Sequence, residues 1–369
     1  MVKKKIKIFL GVIDAANVLK NFKKGLEELS IYDVKIIERK RKKNFFFEML
    51  DRLKLFCSSL NHDIYVFTGY DSFFQFYELW ILRILKKKII VIYLGSDARS
   101  NFKSGKHKDD LNGGFDYKIE SKREKRQIGR IKRAEKYSNY IINHTATSSL
   151  FSRKYVKLLE FGIPINNFEC NVIKDIDQTF NILHAPTRPS AKGSSQIKHV
   201  VDEIRSEENI DISLICLTNV SREEVLREID KSHLVIDELY SDTPIGMLGA
   251  EAVMKCRPVL NFGYYSNQYL VHNDCPFLSK SNYFHPTELK ARIKYILSNY
   301  SEAYQKNIEL RSELKDNWCL NEVTRKLTCL FDDSLENNYF STYFDKDCQL
   351  SWGLSFDELV SLQKIKNEG

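Results

Sequence analysis

Short apolar runs alternate along this chain with longer stretches in which apolar residues recur every three or four positions. The two periods predict strands and amphipathic helices in turn. Ile6–Leu10 predicts a strand, Ala15–Leu29 a helix, Asp33–Ile37 a strand and Phe45–Leu60 a helix. Asp63–Thr68 predicts a strand closed by Gly69, Phe73–Leu85 a helix, and Ile89–Leu94 a strand closed by Gly95. The highly charged Lys118–Tyr137 has helical spacing, Tyr140–Asn143 follows as a strand, and Ser148–Phe161 as a helix stopped by Gly162 and Pro164.

The alternation starts again after residues 170–180, which predict a linker. Strands are expected at Asn181–His184, Ile212–Leu217, Leu234–Ile236 and Pro258–Phe262, and helices at Ser194–Ser206, Arg222–Lys231 and Gly246–Lys255. Thr287–Lys315 and Asn321–Phe331 predict closing helices. Strand and helix in strict turn imply right-handed βαβ units on a parallel sheet. The restart implies two such sheets: an α/β chain of two Rossmann-like domains, 1–170 and 180–315, with a closing helix and tail at 316–369. No short-period repeat or low-complexity linker interrupts this order.

The length of 369 residues fits two ordinary domains, and 43% hydrophobic with 29% charged residues describes a globular chain. Phe73–Leu94 is apolar but broken by Gln75, Glu78, Arg83 and Lys86–Lys88, so it is not expected to span a membrane. The opening MVKKKIKIFLGVIDAANVL imitates a signal peptide, but its apolar run stops at Asp14, and a first strand accounts for it better. None of the eight cysteines forms a CxxC pair, and Cys216 and Cys256 lie in apolar runs. They are expected to be reduced core thiols in a cytoplasmic protein. Charge is unevenly spread. Residues 1–180 hold 36 Lys+Arg against 21 Asp+Glu, whereas the rest holds 21 against 28. The basic half attracts an anionic lipid, a phosphate-bearing acceptor or nucleic acid, or is simply a solvated basic surface.

Several chemistries are disfavoured. No GxGxxG follows a strand, no Gly-Lys-Ser/Thr phosphate loop is present, and the eight His show no zinc spacing. Two Asp-x-Asp strings, Asp175–Asp177 and Asp345–Asp347, fall in the linker and the tail, where a metal site is not expected.

Two segments carry candidate chemistry. In HAPTRPSAKGS, His184–Ser194, a strand ends, a loop follows and a helix begins. Arg188 and Lys192 lie in that loop beside Gly193, and the helix amino end adds partial positive charge, together a diphosphate site. Taken alone, it also describes a surface loop with two charges. In SDTPIGMLGAEAVMKCRPVL, Ser241–Leu260, Gly246 and Gly249 stand in the first turn of a helix whose amides are unpaired. Glu251 follows among apolar neighbours, able to accept two ribose hydroxyls or to serve as a helix-surface carboxylate.

These segments resemble the donor-binding half of the retaining GT-B glycosyltransferases of bacterial capsule, O-antigen and lipopolysaccharide synthesis. The resemblance is clearest over 181–263, and the order of elements extends it over about 1–330. It implies a GT-B fold, two Rossmann-like parallel-sheet domains facing across a cleft, with the acceptor on the first domain and a nucleotide-diphospho-sugar on the second. It assigns Arg188 and Lys192 to the diphosphate, Glu251 to the ribose, and Thr243, Gly246, Met247 and Gly249 to the donor sugar. Thr243 stands where the family has the first Glu of a Glu-x7-Glu motif, which leaves the sugar open. LGSDARS, Leu94–Ser100, resembles a segment bordering the cleft, so Asp97 would orient acceptor hydroxyls and Arg99 meet a phosphate; Asp97 also reads as a helix cap. Gly11 matches a loop facing the donor, and His144 occupies a family position but reads as a structural residue.

The resemblance implies transfer of a sugar with retention to a saccharide or lipid-linked acceptor in surface polysaccharide synthesis. Arg188, Lys192, Asp97 and the Gly246–Gly249 amides would act at the reacting centre, and no metal or cofactor is required. The basic segments Glu38–Lys43 and Lys118–Lys136, with Phe45–Phe47, suit an anionic membrane surface. A nucleotide-sugar epimerase of related fold and a non-catalytic nucleic-acid- or partner-binding protein are the alternatives. Nucleic acid is disfavoured, because aromatics are not interleaved with the basic residues as stacking platforms.

Overall fold

A computed structural model describes residues 5–39, 44–100, 117–166, 168–170, 179–208, 211–240, 244–263 and 283–342. The chain divides into two units: the described residues of 1–100, 121–166 and 317–346, and those of 101–120, 167–316 and 347–369. The expected linker lies largely outside the described residues, as do both Asp-x-Asp strings.

The first unit is built on a seven-stranded sheet. Its strands are β1 (Ile6–Val12), β2 (Tyr32–Glu38), β3 (Ile64–Thr68), β4 (Lys88–Ile92), β5 (Tyr140–Asn143), β6 (Tyr155–Lys157) and β12 (Phe340–Ser341). They lie in the order β12-β6-β5-β4-β3-β1-β2. All pairs are parallel except β12 against β6. The inner strands are apolar on both faces because helices cover both. Helices α2 (Phe45–Ser59), α3 (Leu79–Ile84) and α4 (Tyr117–Tyr137) share one face, where Phe56, Leu79, Leu82, Ile131 and Ala134 join Phe9, Phe67 and Phe73 in one core. Helix α1 (Val18–Glu28) packs instead on α12 (Leu320–Phe331), the last α-helix among the described residues.

Two expected helices of this unit are broken by carboxylates. Glu78 accepts the N–H groups of Phe73 and Phe74, both at 3.1 Å, so 73–78 folds as a turn and α3 begins only at Leu79. Glu135 accepts the N–H groups of Ser152 and Arg153 at 2.7 and 2.9 Å. The chain from Ser148 to Phe161 therefore forms a 3-10 turn (Thr145–Leu150), strand β6 and a short helical turn α5 (Leu158–Phe161).

The second unit holds β7 (Phe180–His184), β8 (Ile212–Cys216), β9 (Leu234–Ile236), β10 (Val259–Phe262) and β11 (Tyr283–Phe284), all parallel, in the order β11-β10-β9-β7-β8. Its helices are α6 (Pro189–Lys192), α7 (Ser194–Glu208), α8 (Arg222–Lys231), α9 (Met247–Met254), α10 (Leu289–Ser298) and α11 (Tyr300–Trp318). Phe180, Ile182, Ile197, Val201, Leu234, Ile236 and Leu260 form its core with Ile293 and Ile296 of α10. The cysteines depart from expectation. Cys170 and Cys256 form a disulfide with Cα atoms 5.4 Å apart, and Cys216 is exposed because β8 is the edge strand. Among the described residues no helix is long and apolar enough to cross a membrane.

Candidate functional site

The second sheet places the candidate residues. Strand β7 is flanked by β8 on one side and β9 on the other, with Ile182 opposite Leu214 and Leu234. Chain order reverses between β7 and β9, and the crevice beyond the carboxyl ends of such strands is where open α/β sheets take ligands. His184 ends β7 and is fully buried. Its ring joins three segments: Nδ1 donates to the Ile236 carbonyl and Nε2 accepts from the Ser194 hydroxyl, both at 2.8 Å. Burial pushes its pKa down to about 4, which keeps it neutral in this role.

The loop after β7 continues through the helical turn α6 to Lys192 and then to Gly193, held in the left-handed region at φ 77°. The Leu239 N–H donates to the Lys192 carbonyl at 3.1 Å and fastens the loop after β9 to it. Asp237 and Glu238, which directly follow β9, both pair with the Lys192 ammonium; the Asp237 contact is 3.3 Å. The Lys192 side chain is 23% exposed, whereas Asp237 is almost fully buried. Desolvation pulls the lysine pKa down, but the two carboxylates outweigh it and hold the pKa above the usual value. Burial holds Asp237 above the ordinary carboxylate range, against the pull of Lys192.

Asp237 also reaches α9. Its Oδ2 accepts the Gly249 N–H at 3.1 Å. A Cβ on Gly246 would stand 2.5 Å from that oxygen, and one on Gly249 would stand 3.3 Å from both it and Asn261 Oδ1. Glycine at these positions is what lets a buried carboxylate lie against the first turn of the helix. Asn261, at the end of β10, is fully buried and its amide nitrogen and oxygen have no hydrogen-bond partner among the described residues.

The predicted donor residues fall into three groups. Lys192, Gly246 and Gly249 gather round Asp237. Glu251 lies one turn further along α9, only 2% exposed, and is ion-paired with Arg222 at the start of α8. Burial lowers the Arg222 pKa. Arg188 stands exposed before α6, and Met247 is half-buried at the start of α9. Thr243 lies outside the described residues. Asp237, Glu238, Arg222 and Asn261 were not singled out in the sequence. Asp237 and Glu238 carried one usable signal, acids directly after an apolar strand.

Asp97, Arg99 and Gly11 belong to the first unit. Asp97 is buried and its carboxylate accepts the Leu94 and Gly95 N–H groups, each at 2.9 Å, folding the loop after β4. Burial raises its pKa to about 6. Arg99 is half-buried, and its carbonyl accepts from the Gln127 amide at 3.0 Å. His144 is buried and accepts the Ala146 N–H at 3.2 Å, capping the 3-10 turn. Desolvation, then the Arg99 charge, lowers its pKa to about 3. Gly11 does not lie in a loop. Strand β1 continues to Val12, Gly11 pairs with Ile37, and a Cβ would stand 2.8 Å from the Ile37 carbonyl, so this glycine serves a close strand contact.

Two Rossmann-like units, each on its own largely parallel sheet, define a GT-B fold. The structure is similar to HepE of Anabaena solved with UDP and glucose, with a TM-score of 0.54 over 89% of this chain and 100% of that one, at 10% identity. It is similar to the same protein solved with UDP-glucose, with a TM-score of 0.53 over 89% and 99% of the two chains, at 11% identity. Comparison by sequence finds no matching family model and no matching curated protein.

Proposed function

We propose that this chain is a glycosyltransferase that moves a sugar from a nucleotide-diphospho-sugar to a saccharide or lipid-linked acceptor, with retention, in cell-surface polysaccharide synthesis. The observation that carries the reading is the position of Lys192 beside the glycine-opened amino end of α9, at the switch point of the second sheet. The similar HepE structures, solved with UDP and glucose and with UDP-glucose, support it.

In this reading the second unit takes the donor. The bond between the sugar's anomeric carbon and the diphosphate oxygen breaks, and the electron pair stays on the diphosphate. Lys192, Arg188 and the Gly246–Gly249 amides stabilise that charge without a metal. Glu251 accepts the ribose hydroxyls once it exchanges its bond to Arg222, and Thr243 and Met247 border the sugar. The first unit takes the acceptor, with Asp97 ordering the loop that presents Arg99. The chain works in the cytoplasm, on the inner face of the membrane.

One observation favours a second reading: Lys192 and Glu251 are both ion-paired within the chain, as in a non-catalytic subunit that has kept the fold. Thermal stability with UDP, GDP, ADP and CMP, without and with Mg²⁺, separates the two. A rise in Tm with one diphosphate, lost in Lys192→Met and retained in Lys192→Arg, supports the donor site. No rise with any nucleotide moves the assignment to the binding subunit.

A further inference from the structure

The large exposed apolar side chains of the first unit are not scattered. Phe46, Phe47, Met49, Leu50 and Leu53 stand out from the first half of α2, and Tyr77, Trp80, Ile84 and Leu85 from α3 and its flanks. Phe46 is 65% exposed, Trp80 48% and Ile84 68%. The spacings 46-49/50-53 on α2 and 80-84 on α3 are those of single helical stripes, and Tyr77 stands in the turn before α3. The segments that carry them are neighbours. Phe56 of α2 packs on Phe73 and Phe74, which lead into α3, and Arg52 of α2 donates to the Phe73 carbonyl at 2.9 Å. Helix α4 lies alongside, with the Arg133 guanidinium 3.8 Å from the centre of the Tyr77 ring.

The same helical layer sorts its charges. Glu78, Glu124 and Glu135 are buried and Glu48 is half-buried, while Lys122, Arg123, Lys125, Arg126, Lys132 and Lys136 of α4 are exposed, with Asp51 of α2 the exposed acid among these helices. Glu78 accepts backbone N–H groups with both oxygens, and Glu135 accepts two with Oε1 and the Ser152 hydroxyl with Oε2. At the end of α3, Arg83, Lys86, Lys87, Lys88 and Asn139 line a recess of about 350 Å³ beside Ile84 and Leu85. Scattered apolar side chains on a surface are ordinary, but a larger apolar patch rimmed by polar side chains marks an interaction site. A protein partner could cover the apolar stripes. The cations around them outnumber the exposed acids Asp51 and Asp333, which fits a surface that is apolar below and anionic above.

We propose that the outer face of α2, α3 and α4 docks this chain on an anionic lipid bilayer. Phe46, Phe47, Leu50, Trp80 and Ile84 enter the boundary between headgroups and acyl chains, and the cations of α4 and of the Arg83–Lys86 recess meet the lipid phosphates. The proposal deepens the membrane-side reading of the function given above, and its test requires no sugar transfer, so either can fail alone.

The test is co-sedimentation of the full chain with phosphatidylcholine vesicles containing roughly 30% phosphatidylglycerol, and with phosphatidylcholine alone. Binding is expected only with the anionic lipid and falls as salt rises. The Trp80 emission shifts to the blue on binding, an effect absent in Trp80→Phe. Phe46→Ser/Phe47→Ser weakens vesicle binding by about tenfold or more, because both rings leave the interface. Lys122→Glu/Arg126→Glu weakens it as well, and all these variants keep the wild-type melting temperature. No vesicle binding, equal binding to neutral vesicles, or undiminished binding in both variants overturns the proposal. So does a wild-type dimer that Phe46→Ser/Phe47→Ser converts to monomer, which would show that a second copy covers this face.

Discussion

Asp97 and Asp237 follow buried strands of the two sheets, and both are desolvated enough to lie above the usual carboxylate range. Their partners differ. Asp97 accepts the N–H groups of its own loop, at Leu94 and Gly95. Asp237 takes the Lys192 ammonium from the loop after β7 and the Gly249 N–H from α9, segments 45 and 12 residues away in the chain. One carboxylate shapes a loop and the other joins three segments. Burial alone therefore says little about a residue's role; the sequence distance of its partners says more. A ligand that competes for Lys192 acts on the second arrangement and leaves the first untouched.

The largest expected effect tests that contrast. Asp237→Ala removes an acid from a buried ion pair and strands Gly249, and is expected to lower stability in urea by about 3–5 kcal/mol. Asp97→Ala loses neutral donors only and is expected to lose about 1–3 kcal/mol. Equal losses would erase the distinction.

The next effect concerns pH. Asp97 has a folded pKa of about 6 against an ordinary value of 3.8, so between those values the native state binds more protons and Asp97's contribution is lost as pH rises. His184, near 4 against 6.5, acts with the opposite sign: the unfolded state binds more protons, and stability is lost as pH falls through that window. Asp97→Asn is therefore expected to steepen the rise in Tm between pH 4 and pH 6, by an amount on the order of 2 kcal/mol. An unchanged profile would mean that Asp97 titrates normally.

Gly246→Ala comes third. The added methyl meets Asp237 Oδ2, and a loss of about 1–2 kcal/mol together with weaker UDP binding is expected in calorimetry. Arg188→Ala comes last. The side chain is exposed, so stability should change by less than about 0.5 kcal/mol while nucleotide affinity falls. Unchanged affinity would remove Arg188 from the donor site.

Most strands were legible because both faces of each sheet are covered and the inner strands read as apolar runs. Phe73–Leu85 and Ser148–Phe161 were misread for the same physical reason. Each has helical spacing locally, but the breaks come from the Glu78 and Glu135 carboxylates, and Glu135 stands 17 residues from Ser152. In the candidate site, Lys192 was legible as a cation in the loop after a strand, and Gly246 and Gly249 as small residues in the first turn of a helix. Asp237, Arg222 and the Cys170–Cys256 bond were not, because their meaning depends on which strands lie side by side. Gly11 was misplaced because the pattern of β1 does not show that the strand runs two residues beyond Leu10.

Helix α12 has a consequence for how the chain is made. Helix α12 closes over α1, where Thr324 packs on Gly25. Lys326 donates to the carbonyls of Glu160 and Asn317 at 2.9 and 3.1 Å. Strand β12 then completes the edge of the first sheet against β6. The ribosome thus delivers most of the first unit early, then residues 167–316 of the second, and only then the helix that packs on α1. Nascent chains usually fold domain by domain from the amino end. Here the first unit has to wait with one helix uncovered, so a chain stalled before residue 317 is expected to be engaged by chaperones through that helix, even where the second sheet has already formed.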